Sequence, residues 1–400
     1  MLPAKDAQDR ILQRISVLDP LELSVTEAHG SVLAETVTAP EDLPSSATAG
    51  ADGFAVRSDD TAGADATAVS LTLIGEANAG RPFAGRVAFG EAVRVSAGAA
   101  LPDGSDAVVR KEDVAVVGSS MAIGRAVRAG AEVRPAGQDV ARGDPVMQEG
   151  QRIRGMDVGV LAALGRTRVR VRPRPRVVTF STAASGAPVG DAGRDPSSYA
   201  IAGMAREAGS EVTRGGSVPG DVEVLREKFR SYLPQADVFI TTGGLGDGHD
   251  SPVRSAVDKI GSLDIWPVAS RPETTIAFGN VEGRLVFGLP SGPVGVILPF
   301  ELFVRPALLK LAGRQTLRRP ELEAFLEEGY EHQVGRESYL RVRAWRDRDG
   351  WRARLSGRQG PSVISTVAGA NAFAVIPSDK AEIKPGEPVR LLLLEPLEGW

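Results

Sequence analysis

From Val177 to Leu311 the sequence alternates short apolar runs with longer amphipathic stretches, and this rhythm constrains the fold more than any other feature. The run VVTF reads as a strand, followed by a loop and a helix over 196–208, with Asp195 as N-cap and Pro196 in its first turn. A strand at 211–214, a helix at 221–233 and a strand at 236–241 come next. A helix over 252–260 opens with Ser251 as its cap and Pro252 in its first turn. Strands near 263–268, 274–278 and 284–288 lead to an apolar helical segment from Pro293 to Leu311. Strands and helices in such alternation predict a doubly wound α/β domain around a mostly parallel sheet.

The flanking regions have other textures. Residues 5–40 open with an amphipathic helix and the alternating stretch LELSV. Residues 48–136 hold short alternating runs such as VSLTLIG and AVRVSAG, which read as strands joined by turns. A helical pattern at 156–164 precedes RTRVRVRPRPRVV. Residues 317–400 return to strands, YLRVRAW, WRARL and VRLLLLEP, and predict a small β-domain. At 400 residues the chain exceeds the roughly 250–300 residues at which single cores stop growing, so several domains are expected.

The arginines at 166, 168, 170, 172, 174 and 176 alternate with other residues, which in one strand would put all six on one face. A nucleic-acid surface and a solvated strand face leading into a Pro173–Pro175 linker are both readings of that pattern. Net charge decides against the first, because at −4 the chain has no excess of cations to attract a polyanion. Nor does a 5% aromatic content provide stacking platforms for single strands. The absence of cysteine excludes disulfides, thiolate ligands and a thiol nucleophile, and three histidines make a multi-histidine metal site improbable. Asp6, Asp9 and Arg10 break any signal-peptide core, and no run nears the roughly 20 apolar residues that span a bilayer. The expectation is a cytoplasmic protein without nucleic-acid or membrane partners.

The stretch VFITTGGLGDGHDSPV, 238–253, ends a strand in glycines, hydroxyls and carboxylates. Ligands of open α/β sheets bind outside the carboxyl ends of the strands. Gly243, Gly244, Gly246 and Gly248 would let backbone amides approach a phosphate, with Thr241 and Thr242 adding donors. The helix that Ser251 caps adds unpaired N–H groups and a positive dipole end. Asp247 and Asp250 could hold a hard cation such as Mg²⁺ beside that phosphate. The competing reading is a plain glycine-rich turn whose Ser251 and Asp250 only serve the following helix. The glycines run GxxGxG, which disfavours a dinucleotide fingerprint. A second loop, FGLPSGPVGV at 287–296, also joins a strand to a helix, with Pro290 and Pro293 rigidifying it and Ser291 and Gly292 between them. Two such loops from one sheet can face one pocket.

These residues sit in a wider pattern. LPSSATAGADGFAVR (43–57), RVSAGAALPDGSDAVV (94–109), VRPAGQDV (133–140), ITTGGLGDG (240–248) and FGLPSGPVGVILPFELFVRPAL (287–308) resemble the MoeA and gephyrin E-domain family in order and spacing. GRESYLRVRAW and GPSVISTVAGANAFAVIP are similar to its carboxyl-terminal domain. The resemblance implies an elongated, usually dimeric subunit with a discontinuous N-terminal domain (1–47 and 137–172) and an inserted β-rich domain (48–136). It also implies a MogA/MoaB-like α/β domain (173–316) and a C-terminal β-barrel-like domain (317–400), with a cleft shared between subunits. The implied activity is Mg²⁺-dependent insertion of molybdate into adenylylated molybdopterin, with release of AMP.

Carried over residue by residue, Asp52 matches the aspartate of MDGYAV, Asp139 that of GEDI, and Pro290 and Pro293 the prolines of LPGNP. Other positions depart. The TGAP threonine is Ala97, the GDEL segment is Ala183-Ala184-Ser185, and the aspartate after the glycine loop aligns with Ser251, one residue from Asp250. KPGKP becomes Arg271-Pro272-Glu273-Thr274-Thr275, and the asparagine of LPGNP is Gly292. His249 is new to the pattern. Losing two carboxylates removes oxygen ligands that a hard cation needs, whereas amide-based phosphate recognition survives. Two expectations therefore stand. One is an enzyme using Asp52, Asp139, Asp247 and Asp250. The other is a catalytically degenerate paralogue acting as a binding or scaffold protein for a protein partner. A generic nucleotide-binding module accounts for the glycine loops alone.

Overall fold

The structure, a computed structural model, describes residues 1–183, 195–245, 251–360 and 363–395. The chain forms two compact units. The larger is built from Met1–Ala34, Gly150–Gly155 and Arg168–Trp400, the smaller from Glu35–Glu149 and Met156–Thr167. No helix among the described residues is long and apolar enough to cross a membrane.

The larger unit opens with helix α1 (Ala4–Gln13), whose Ala4, Ala7 and Ile11 stand three and four residues apart and are buried. The α/β layer follows as β1 (Arg176–Ala183), α2 (Pro196–Glu207), β2 (Glu211–Pro219), α3 (Val222–Tyr232), β3 (Val238–Thr242) and α4 (Pro252–Val257). It continues through β4 (Gly261–Val268), β5 (Thr274–Val281) and β6 (Arg284–Leu289). The sheet order is β2-β1-β3-β6-β5-β4. The first four strands are parallel, as expected, but β6, β5 and β4 form an antiparallel edge. Their connections are too short for a crossover. Between β5 and β6 only Glu282 and Gly283 intervene, both at positive φ, as a two-residue hairpin requires.

The sheet is covered on both faces. On one, α2 and α1 pack Ile201, Ala205 and Ile11 against Val177, Ile240 and Phe287. On the other, α3 and α4 pack Phe229 and Val253 against Phe180 and Phe239. Phe180, Phe229 and Phe239 meet edge to face at 5.0–6.5 Å.

The expected long helix after Pro293 is broken into a short turn (Ile297–Pro299), a π-helical turn (Phe300–Val304) and α5 (Arg305–Leu311). Pro306 has no N–H for the Leu302 carbonyl, and the Gln8 amide of α1 donates to that oxygen instead (2.5 Å).

The arginine run is a strand face leading into a Pro173–Pro175 linker, as expected, so the arginines do not all share one strand. The strand Arg168–Arg172 alternates buried Val169 and Val171 with outward arginines. Arg174 instead donates to the His29 carbonyl, and Arg176 begins β1, bound to the Asp237 carboxylate through its main-chain N–H, Nε and Nη2.

Beyond α5, β7 (Glu321–Leu326), β8 (Glu337–Asp347), β9 (Gly350–Leu355), β10 (Ala372–Ile376) and β11 (Pro388–Leu393) close in the order β8-β9-β7-β11-β10, with β10 pairing back onto β8. This is a five-stranded barrel around Leu326, Val342, Ala353, Ala374 and Leu391. The smaller unit holds a six-stranded sheet around Phe54, Val56, Leu71, Val109 and Met121.

Candidate functional site

β1, β3 and β6 end at one edge, where Ser181, Thr242 and Leu289 stand side by side in register. From β1 the chain winds through α2 to β2 on one side, then returns through α3 to β3 on the other. The order thus reverses between β1 and β3, and the crevice outside their carboxyl ends is where such sheets receive ligands.

Gly243 and Gly244 turn the chain off β3 with φ of +73° and +67°. The Gly243 N–H donates to the Leu289 carbonyl (3.0 Å), tying the loop after β3 to the loop after β6. A Cβ on Gly244 would lie 2.9 Å from Thr182 and Val253, so only glycine fits. Ser251 caps α4. Its hydroxyl accepts from the Arg254 N–H (3.0 Å), donates to the Gly244 carbonyl (2.7 Å) and is fully buried. In the second loop Gly292 has φ +94° with open space where a Cβ would stand. Its N–H donates to the hydroxyl of Ser197 in the first turn of α2 (3.1 Å). The structure therefore joins Gly243, Gly244, Ser251, Pro290, Ser291, Gly292 and the start of α2.

Several polar groups at this edge lack partners. The amides of Gly244, Leu245 and Ser291 donate to no acceptor among the described residues. Thr182 Oγ1, at the end of β1, and Asp195 Oδ2 are buried without a hydrogen-bond partner among the described residues, while Asp195 Oδ1 caps α2 by accepting from the Ser198 N–H. Such groups rarely stay unpaired in a resting core. Thr241 and Thr242 are buried, and the Thr241 hydroxyl faces the Phe287 carbonyl at 3.5 Å. Pro293 follows Gly292 half-buried. Gly246, Asp247, Gly248, His249 and Asp250 lie outside the described residues, as do Ala184 and Ser185. Thr182 and Ser197 were not singled out from sequence. The signal for Ser197 was present in DPSS, where a hydroxyl pair follows the capping Asp-Pro.

Arg271 is placed elsewhere. It ends a two-residue strand that runs parallel to β8, is exposed, and precedes Glu273, which pairs with Arg336.

In the smaller unit, Asp52 accepts from the Ala97 N–H (2.9 Å) and lies 3.5 Å from Lys111 Nζ. The amide first and the ammonium second hold its carboxyl below the usual aspartate range. With Asn78, Arg94 and Ser96, Asp52 and Lys111 line an open cleft of about 480 Å³. Gly53 is glycine because it begins a strand, where a Cβ would lie 2.0 Å from the Val109 carbonyl, not because it closes a turn. Asp139 is exposed, and its N–H donates to the Leu43 carbonyl (3.0 Å).

Sequence comparison accounts for the whole of this layout. Residues 2–165 match the MoeA N-terminal region (domain I and II), 177–310 a probable molybdopterin binding domain, and 323–394 the MoeA C-terminal region (domain IV). Molybdopterin molybdenumtransferase 1 of Mycobacterium tuberculosis is 33% identical over 425 residues, spanning 98% of this chain and 99% of its own. The chain belongs to the molybdopterin molybdenumtransferase (MoeA) family. The family's Haemophilus influenzae member is 27% identical over 98% of both chains. Two structures of the molybdopterin biosynthesis MoeA protein from Pyrococcus horikoshii superpose with TM-scores of 0.78 and 0.85 at 27% and 28% identity, covering 98% and 100% of this chain and all of theirs.

Against the MoeA pattern the described donor set does not fit a Mg²⁺ ion. No group of three or more Asp, Glu, His or Cys side chains able to hold a metal occurs among the described residues. Ser251, where the pattern has an aspartate, has its hydroxyl engaged in two protein hydrogen bonds.

Proposed function

We propose that this MoeA-family chain takes part in molybdenum cofactor biosynthesis by binding adenylylated molybdopterin at the edge of β1, β3 and β6. There it inserts molybdate into the dithiolene and releases AMP. The observation that carries this reading is the set of unpaired donors at one edge. Among the described residues the amides of Gly244, Leu245 and Ser291 lack acceptors, and the Thr182 hydroxyl is buried without a partner. A phosphate supplies what these donors lack, and glycine at 244 and 292 keeps the backbone accessible to it. Asp52, kept ionised by Ala97 and Lys111, is the carboxylate assigned to the reaction, and a homodimer is the assembly assigned to the chain. The test is complementation of a strain lacking its own molybdenum-inserting enzyme, with AMP release measured on the purified protein. Wild type restores cofactor and releases AMP, and Asp52→Ala does neither.

A second reading, a binding or scaffold protein without turnover, is favoured by Ser251, whose hydroxyl is fully engaged in capping α4. It predicts tight retention of the adenylylated pterin with no AMP, and an Asp52→Ala variant indistinguishable from wild type in cells.

A further inference from the structure

A second cluster of charge lies at the carboxyl ends of α2 and α5, away from the edge where α2 begins. Arg152, Arg172, Arg174, Arg305 and Arg314 line a cavity of about 50 Å³ with Glu207 as the one carboxylate in its wall. Among the described residues, the contacts of Arg152, Arg174, Arg305 and Arg314 do not neutralise them. Arg172 donates to the Leu18 carbonyl (2.9 Å) and Arg174 to that of His29. Arg152 and Arg314 make no ion pair among the described residues. Arg305 lies 3.9 Å from Glu301, but Arg319 already holds that carboxylate through two hydrogen bonds of 2.8 and 2.9 Å. Arg305 Nη1 is buried with no hydrogen-bond partner among the described residues.

Burial and the neighbouring Arg319 push Arg305 down to about 10, and burial with Arg152 pushes Arg314 down. Arginines also gather at helix ends to meet the carbonyl dipole, and two helices end here. Each end is worth about half a negative charge, so with Glu207 roughly two of the four charges on Arg152, Arg174, Arg305 and Arg314 stay uncompensated. Helix-end pairing is therefore too small to explain the cluster.

We propose that this cavity is a binding site for a free tetrahedral oxyanion carrying two negative charges. Guanidinium forks match the oxygen pairs of such an ion, and Arg305 Nη1 supplies a donor that awaits an acceptor. The cavity has room for an inorganic ion but not for a nucleoside. Phosphate, sulfate and molybdate share this chemistry.

The experiment measures thermal unfolding and titration calorimetry of the full chain with each of the three anions, against chloride at equal ionic strength. The expected result is saturable binding that raises the unfolding temperature. Arg152→Gln and Arg314→Gln then bind at least about tenfold more weakly. In chloride these variants are as stable as wild type or more so, because a like charge has been removed. The anion with the strongest response identifies the source, and a molybdate preference would tie the site to the metal's supply. Three results overturn the proposal. One is that the anions act on wild type no more than chloride does, and another is that the arginine variants respond as wild type does. The third is a response that vanishes in Thr182→Val while persisting in Arg314→Gln, which places the ion at the glycine loops.

Discussion

Gly244 and Gly292 are both left-handed glycines, yet they are glycine for different reasons. At Gly244 a methyl would meet Thr182 and Val253 at 2.9 Å, so Gly244→Ala combines overpacking with backbone strain and should cost about 2–4 kcal/mol. At Gly292 no atom stands in the way, and Gly292→Ala should cost only about 1–2 kcal/mol, from φ alone. Urea unfolding of the two variants separates these outcomes. Asp52 gives a pH test. Its folded-state pKa is depressed, so its contribution is present above the unfolded value of about 3.9 and is lost as pH falls through the folded one. The stability difference between wild type and Asp52→Asn should be flat from about pH 8 to pH 5 and shrink below about pH 4. A difference that grows on acidification would contradict the Ala97 and Lys111 contacts.

At the scale of elements, Ser251 joins the glycine loop to α4. Ser251→Ala removes the cap and leaves the Gly244 carbonyl with only the long Val253 N–H contact (3.5 Å), at a cost of about 1–3 kcal/mol in denaturant unfolding. The cap was legible because Ser-Pro before an apolar run is a local signal. What was not legible depended on distant partners. The antiparallel edge of the sheet is set by which strand β4 pairs with, and the π-helical turn is accommodated by Gln8, nearly three hundred residues away in sequence. The arginine run was legible because Pro173 and Pro175 end the strand at Arg172 even though the period-two spacing continues through them. Of the candidate site, glycines and cap were readable from spacing. Thr182 was not, because a threonine at the end of an apolar run looks like any strand residue until its hydroxyl is found buried and unpaired among the described residues.

For the molecule as a whole, the α/β layer positions the site because its two faces are packed by separate clusters that fix β1, β3 and β6 side by side. Phe229 is the hub of one face, touching Phe180 and Phe239 at 5.0 and 5.1 Å. Phe229→Ala should cost about 3–5 kcal/mol in unfolding free energy and weaken ligand binding indirectly through the strand ends. Resemblance extended further than periodicity here. Barrel closure is a non-local pairing of β10 with β8, and the motifs at 335–345 and 360–377 pointed to it where alternation showed only strands. The central claim is that the edge of β1, β3 and β6 receives a phosphorylated pterin. Its most direct test is the affinity of adenylylated molybdopterin for wild type and for Thr182→Val, an exchange that keeps shape and removes only the unpaired hydroxyl. The account predicts saturable binding by wild type, about tenfold weaker in Thr182→Val, with the variant's stability equal to wild type or higher. Equal affinities in the two proteins, or no binding by wild type, would contradict it.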